Sequence, residues 1–185
     1  MTRLIERTDV VDYQTYEDTR DQARAHIFEV KRPRRVHLGE YLTFLFENKE
    51  TLTYQVQEII RAERIVREAA IVDEIEVYNQ FLGDDGDLPC VLLIEIEEQF
   101  DRKPLLSRWL GLEKTLYVKL EDGTKVYASY DAAQVGDDRL SAVQYLTFGV
   151  NGQTPVAVGC DFEELAGEVQ LSAEQREALA SDLAA

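Results

Sequence analysis

The chain has 185 residues, 45% of them hydrophobic, which is enough to bury a sizeable core and points to a single domain. Its 36 acidic against 20 basic residues leave a formal charge of −16, which repels phosphate backbones and anionic lipid and so argues against nucleic acid and membrane partners. No apolar run approaches the roughly 18 to 20 residues that cross a bilayer, and the opening MTRLIERTDVVDYQ has no signal-peptide apolar region, so a cytoplasmic location is expected.

In chain order, Tyr16 to Val30 carries Ala23, Ala25, Ile27, Phe28 and Val30 among charges and reads as a helix, ended by Lys31-Arg32-Pro33. Val36 and Leu38, then Leu42-Thr43-Phe44-Leu45-Phe46, read as two strands around Gly39. A polar turn, Glu47-Asn48-Lys49, leads into a helix from Leu52 to Ala70 that Asn48 or Thr51 caps. A second helical piece from Val72 to Leu82 stops in the Gly83-Asp84-Asp85-Gly86-Asp87 loop. Beyond it the β content rises: Val91 to Ile96 is a strand, Lys103 to Leu110 a short helix with Pro104 in its first turn, and Thr115 to Tyr130 a hairpin. A three-residue Glu121-Asp122-Gly123 loop, with Gly123 left-handed, pairs Val118 with Val126 and keeps apolar residues together. Ala142 to Val150 and Val156 to Cys160 supply further strands, and Ser172 with Gln175 forms a capping box that opens a last helix to Leu183. The expected fold is α+β, a mainly antiparallel sheet packed against several helices. Residues 1–83 are its helix-rich half, 84–171 its strand-rich half and 172–185 its C-terminal helix.

The chemistry-bearing residues gather on the helix over 51–69. At about 100° per residue, Leu52, Val56, Ile59, Ile60, Ala62, Val66 and Ala70 share one side, and Glu63 falls within that stripe. A carboxylate there needs a partner or a raised pKa, with Arg67, Arg34 and Arg35 as candidate partners. The opposite face carries Tyr54, Gln57, Glu58, Arg61, Arg64 and Glu68 at spacings of three and four, so that several can converge on one ligand, with Arg61 gripping a carboxylate or phosphate. The same spacing also describes a solvated face laced with weak ion pairs. The basic run Lys31-Arg32-Pro33-Arg34-Arg35 suggests an anion site, but strand alternation sends Arg35 and His37 to one face and Arg34 and Val36 to the other. The ligand-binding candidates are therefore Arg34, Arg35, Tyr54, Gln57, Glu58, Arg61, Glu63 and Arg64; no catalytic residue and no cofactor is assigned.

Cys90 and Cys160 are not in a C-x-x-C arrangement, the two histidines His26 and His37 make no metal pair, and Asp84, Asp85 and Asp87 lack the glutamate of a calcium-binding hand, so no metal site is expected. The chain also has no phosphate loop, nucleophile elbow or dinucleotide fingerprint.

Several segments resemble domain-of-unknown-function family 3501: Arg34-Arg35-Val36-His37-Leu38-Gly39, Phe46-Glu47, Tyr54-Gln55-Val56-Gln57-Glu58 and Arg61-Ala62-Glu63-Arg64-Ile65. The likeness continues through Tyr78-Asn79, Ile94-Glu95, Leu110-Gly111-Leu112-Glu113, Ser141-Ala142-Val143 and Ala180-Ser181-Asp182-Leu183. It departs at Gln144, where the family pattern has a histidine, and at Asp161-Phe162, where it has His-Pro. The resemblance implies no established activity. Bacterial members of the family are often encoded beside rubrerythrin-like and iron–sulfur proteins, which implies an accessory or binding role toward a redox or iron–sulfur partner. An enzyme or small-anion-binding protein with a charged pocket on the 51–69 helix is the alternative, and a structural homo-oligomer subunit a third.

Overall fold

In the computed structural model, which describes residues 4–132 and 135–184, α1 (Tyr13–Lys31) runs into a 3-10 turn (Arg32–Arg34) and then into β1 (Arg35–Leu38) and β2 (Leu42–Phe46). Helices α2 (Lys49–Glu63) and α3 (Glu68–Asn79) follow, and a 3-10 turn (Gln80–Leu82) leads to β3 (Leu88–Ile94). The remainder is α4 (Gln99–Arg108), β4 (Leu116–Lys119), β5 (Lys125–Tyr127), β6 (Val143–Phe148), β7 (Ala157–Cys160), β8 (Gly167–Gln170) and α5 (Ala173–Leu183). The strands form two four-stranded antiparallel sheets, in the orders β1-β2-β3-β6 and β5-β4-β7-β8. The fold is α+β.

Period-two alternation turns one face of the first sheet into the core between the sheets. Val36, Leu38, Leu42, Phe44, Phe46, Cys90, Leu92, Leu146 and Phe148 face a core shared with Leu116, Val118, Val158 and Cys160 of the second sheet, closed by Trp109 and Leu179. A separate cluster joins Ile5 and Val10 to Leu52, Val56 and Ile60 of α2 and Ile71 and Ile75 of α3. All five residues of β2 are buried, so neither face of this strand meets solvent.

Several expectations hold in detail. Val118 pairs with Val126, Leu120 N–H donates to the Thr124 carbonyl, and Gly123 is left-handed at φ +88°, which is the three-residue loop. Asn48 caps α2 in a reciprocal box with Thr51, and Ser172 does the same with Gln175 for α5. Arg35 and His37 are exposed while Arg34 and Val36 are buried, and both thiols are free and buried.

Three features differ. The helix expected to reach Ala70 stops at Glu63, because Arg64 turns left-handed at φ +51° and Ile65 N–H caps back onto the Ile60 carbonyl. Glu63 is consequently exposed at the helix end and is not a buried carboxylate. Helix α4 begins at Gln99, placing Pro104 inside it and not in its first turn. Strand β8, unexpected from sequence, pairs with β7 along the edge of the second sheet.

On the outer face of that sheet Tyr117 lies flat across Gly159, its hydroxyl donating to Glu168 (3.0 Å) and its ring under the Lys125 ammonium at 4.1 Å. A Cβ at residue 159 would overlap the Tyr117 ring. Gly159→Ala is expected to cost about 1–3 kcal/mol, the range for overpacking, measured by chemical denaturation. Adding Tyr117→Ala to the same chain should recover part of the loss.

Candidate functional site

The structure distributes the eight sequence candidates over four places. Glu58 on α2 receives Arg20 through two hydrogen bonds of 2.8 and 3.0 Å and the Tyr16 hydroxyl at 2.7 Å, which ties α1 to α2. Arg20 holds the Glu58 carboxyl below its usual range, while burial and then Glu58 push the Tyr16 phenol up. Arg61 reaches Glu58 and Glu17, both at 3.5 Å. Gln57 is buried, accepting from the Val11 N–H at 3.0 Å and donating to the Val11 carbonyl at 2.8 Å. Tyr54 lies under the Lys31 ammonium, 5.8 Å from its ring centroid. These side chains lace helices together.

Arg34 is buried in a two-pronged pair with Asp182 of α5 (2.7 and 2.8 Å), which also accepts from Asn48 at 2.9 Å. Arg35, Glu63 and Arg64 are exposed, the first on β1 and the other two at the end of α2. The eight residues do not converge on one ligand position.

The residue that stands apart is Glu47. It directly follows β2, and strand alternation turns it away from the inter-sheet core, to the face that carries Thr43 and Leu45. Its N–H donates to the Pro89 carbonyl at 2.9 Å, extending the β2–β3 pairing by one step. Glu47 is 2% exposed, and neither carboxylate oxygen has a hydrogen-bond donor among the described residues. The nearest cation, the Lys31 ammonium at the end of α1, is 3.8 Å away, beyond hydrogen-bond length.

Glu47 lines a cavity of about 280 Å³. Leu52 of α2 and Phe81 cover it, Pro89 and Val91 of β3 and Tyr145 and Thr147 of β6 form its floor, and Ser129, Tyr130 and Asp131 stand along its side. Each wall follows from local structure. The 3-10 turn after α3 presents Phe81, which stacks on Tyr145 at 4.4 Å and 15°. Ser129 exchanges two backbone hydrogen bonds with Thr147 (2.8 and 2.9 Å), so the segment past β5 is sewn to the free edge of β6.

Burial pushes the Glu47 carboxyl up, opposed by the Lys31 charge, by the adjacent Thr51 hydroxyl, whose proton is directed to the Asn48 carbonyl at 3.1 Å, and by the Arg34 charge. Burial and then Glu47 push the Cys90 thiol up. The Tyr78 phenol is pushed up to about 12 by burial, then by Tyr145, Glu74 and Glu47. The site is thus an aromatic-walled pocket with a buried acid behind it whose nearest charged neighbour is Lys31. Among the described residues no group of three or more His, Cys, Asp or Glu side chains is placed to hold a metal.

Fold and site together define an α+β protein of two antiparallel sheets with an acidic pocket between the first sheet and its helices. The chain belongs to the family described as "Protein of unknown function (DUF3501)", whose model matches residues 4–183. It is similar to a crystal structure of a novel protein of unknown function from Burkholderia pseudomallei, at 27% identity and a TM-score of 0.87, over 96% of this chain and 98% of that one. No curated protein matches it significantly. Among the described residues no helix is long and apolar enough to cross a membrane.

Because the folded chain raises the Glu47 pKa above its unfolded value, this group's contribution to stability is complete below the ordinary carboxylate range and is lost as pH rises through the raised value. Glu47→Gln carries no charge at any pH. Its stability relative to the parent should therefore climb as pH rises from the ordinary carboxylate range, about pH 4, toward neutrality, seen as a growing difference in Tm. Melting curves across that range check it; a difference that does not move with pH would sink the assignment of a penalised buried charge.

Proposed function

We propose that this protein binds a small molecule in the Glu47 cavity. The observation that carries the reading is a cavity of about 280 Å³ beside the buried Glu47, lined by polar side chains of Gln80, Ser129 and Thr147. Three aromatic rings, Phe81, Tyr130 and Tyr145, offer flat apolar surface beside it, the usual composition of a ligand pocket.

An accessory role beside rubrerythrin-like or iron–sulfur proteins, which the family resemblance implies, is compatible with a small-molecule carrier and rests on that resemblance alone. The small-anion reading on α2 has less support, since Arg20 and Tyr16 already engage Glu58 and Arg61 already reaches Glu58 and Glu17, its buried Nε alone lacking a hydrogen-bond partner among the described residues.

The test is a fragment screen read by thermal shift and protein-observed NMR on the parent chain and on Ser129→Trp, which plugs the side of the cavity from an exposed position. Fragments should raise the Tm of the parent and perturb Tyr145 and Phe81, and Ser129→Trp should lose both effects. Equal responses from the two chains would place binding elsewhere and end the proposal.

A further inference from the structure

We propose that the cleft between α4 and the segment leading into β6 is a second binding site, for a phosphate group, free or carried by a small ester. It is separate from the Glu47 cavity and does not depend on that reading. The cleft, of about 440 Å³, is lined by Gln99, Arg102, Lys103 and Leu106 of α4 and by the chain from Arg139 to Ala142. Residues 99, 102, 103 and 106 share one side of the helix at about 100° per residue, while Asp101 falls on the other. Two backbone hydrogen bonds fix the second wall. Leu140 N–H donates to the Leu106 carbonyl at 3.0 Å, and the Ala142 carbonyl accepts from Ile94 N–H of β3 at 2.8 Å.

Every charged residue of this lining is a cation, in a chain of 36 acidic and 20 basic residues; Asp101, Asp137 and Asp138 lie outside it. Arg7, Arg20, Arg34 and Arg108 each hold a carboxylate at 2.7 or 2.8 Å, whereas Arg102, Lys103 and Arg139 hold none among the described residues. Arg102 Nη2 donates to the Ile96 carbonyl at 3.2 Å, which steadies the guanidinium and leaves its other N–H groups for a ligand. Ser141 Oγ accepts from Val143 N–H at 3.2 Å, so its own proton is left to donate. A monocarboxylate brings one charge and two oxygens, enough for one guanidinium fork. A phosphate dianion brings two charges and three terminal oxygens, so that each of the three cations can take one. The net charge of −16 acts at long range and is screened over about 8 Å at physiological ionic strength. It opposes a long polyanion laid across the acidic surface, and not a small anion that comes to rest among three cations.

The experiment is calorimetric titration of the whole chain with inorganic phosphate, glycerol phosphate and acetate, at constant ionic strength and about pH 8, where the phosphates are dianions. The better phosphate should bind about tenfold or more tightly than acetate, the margin of one further charge-assisted hydrogen bond, and should shift the amide NMR signals of Gln99, Arg102 and Ser141. Arg139→Gln and Lys103→Gln should each weaken it severalfold. Arg176→Gln removes the same charge from an exposed position on α5, outside the cleft, and should leave binding unchanged. Glycerol phosphate binding more tightly than inorganic phosphate identifies an ester as the ligand; the reverse order identifies free phosphate. Acetate binding as tightly as either phosphate overturns the proposal, and so does an equal loss from Arg176→Gln and Arg139→Gln, or no binding at all. Ser129→Trp, which plugs the Glu47 cavity, should leave phosphate binding intact, so failure at one site is read separately from failure at the other.

Discussion

Strand β2 is enclosed on both faces, and this constraint organises the rest of the molecule. On one side Leu42, Phe44 and Phe46 enter the core between the two sheets; on the other, Thr43 and Leu45 are buried as well. A strand in that position tolerates little polar chemistry, because every unpaired group along it is removed from water on both sides. Thr43 meets the requirement by bonding His37 and Glu95. Glu47, one step beyond the last strand residue, does not: it inherits the burial of β2 but lies past the ladder's end, where the chain turns into α2.

The surroundings keep it there. The N-cap of α2 at Asn48 and the Arg34–Asp182 pair meet immediately beside Glu47, since Asn48 donates to Asp182 Oδ1, one of the two oxygens that Arg34 holds. A buried ion pair of this kind adds little net stability over an apolar replacement, but its geometry admits one arrangement. It fixes α5 against the turn before β1 and fixes the start of α2, so the backbone that carries Glu47 has little freedom to swing its carboxylate into solvent.

Much of the fold was legible because its signals are local. The hairpin register followed from keeping Val118 opposite Val126, and the capping boxes at Asn48 and Ser172 followed from side chains three residues apart. The break after Glu63 was hidden by a coincidence of phase. Ile60 and Ile71 are eleven residues apart, close to three full helical turns, so a straight helix and a broken one give nearly the same apolar stripe. The clue was in the stripe's gap: Glu63 and Arg67 would both have pointed into the core of a continuous helix, and a break at Arg64 accommodates them both. Strand β8 lacked a signal of comparable strength, since its alternating exposure rests on Val169 alone as a large apolar residue.

The site was less legible than the fold, for a physical reason. The charged face of α2 looked like chemistry because its residues are close in sequence, yet their partners, Arg20, Tyr16 and Glu17, come from α1 and had no local signature. Glu47 looked like a turn residue because Asn48 and Lys49 follow it. Its burial depends on α2, α3 and β6 folding over it, which no local pattern encodes. One indication was nonetheless present. Five apolar or small residues in an unbroken row mark a strand covered on both faces, and the alternation of such a strand extends to the residue after it. Read that way, an acidic residue at the end of a doubly buried strand calls for a donor. The charge the fold brings nearest is the Lys31 ammonium, 3.8 Å away at the end of α1, and no local pattern ties that helix end to Glu47.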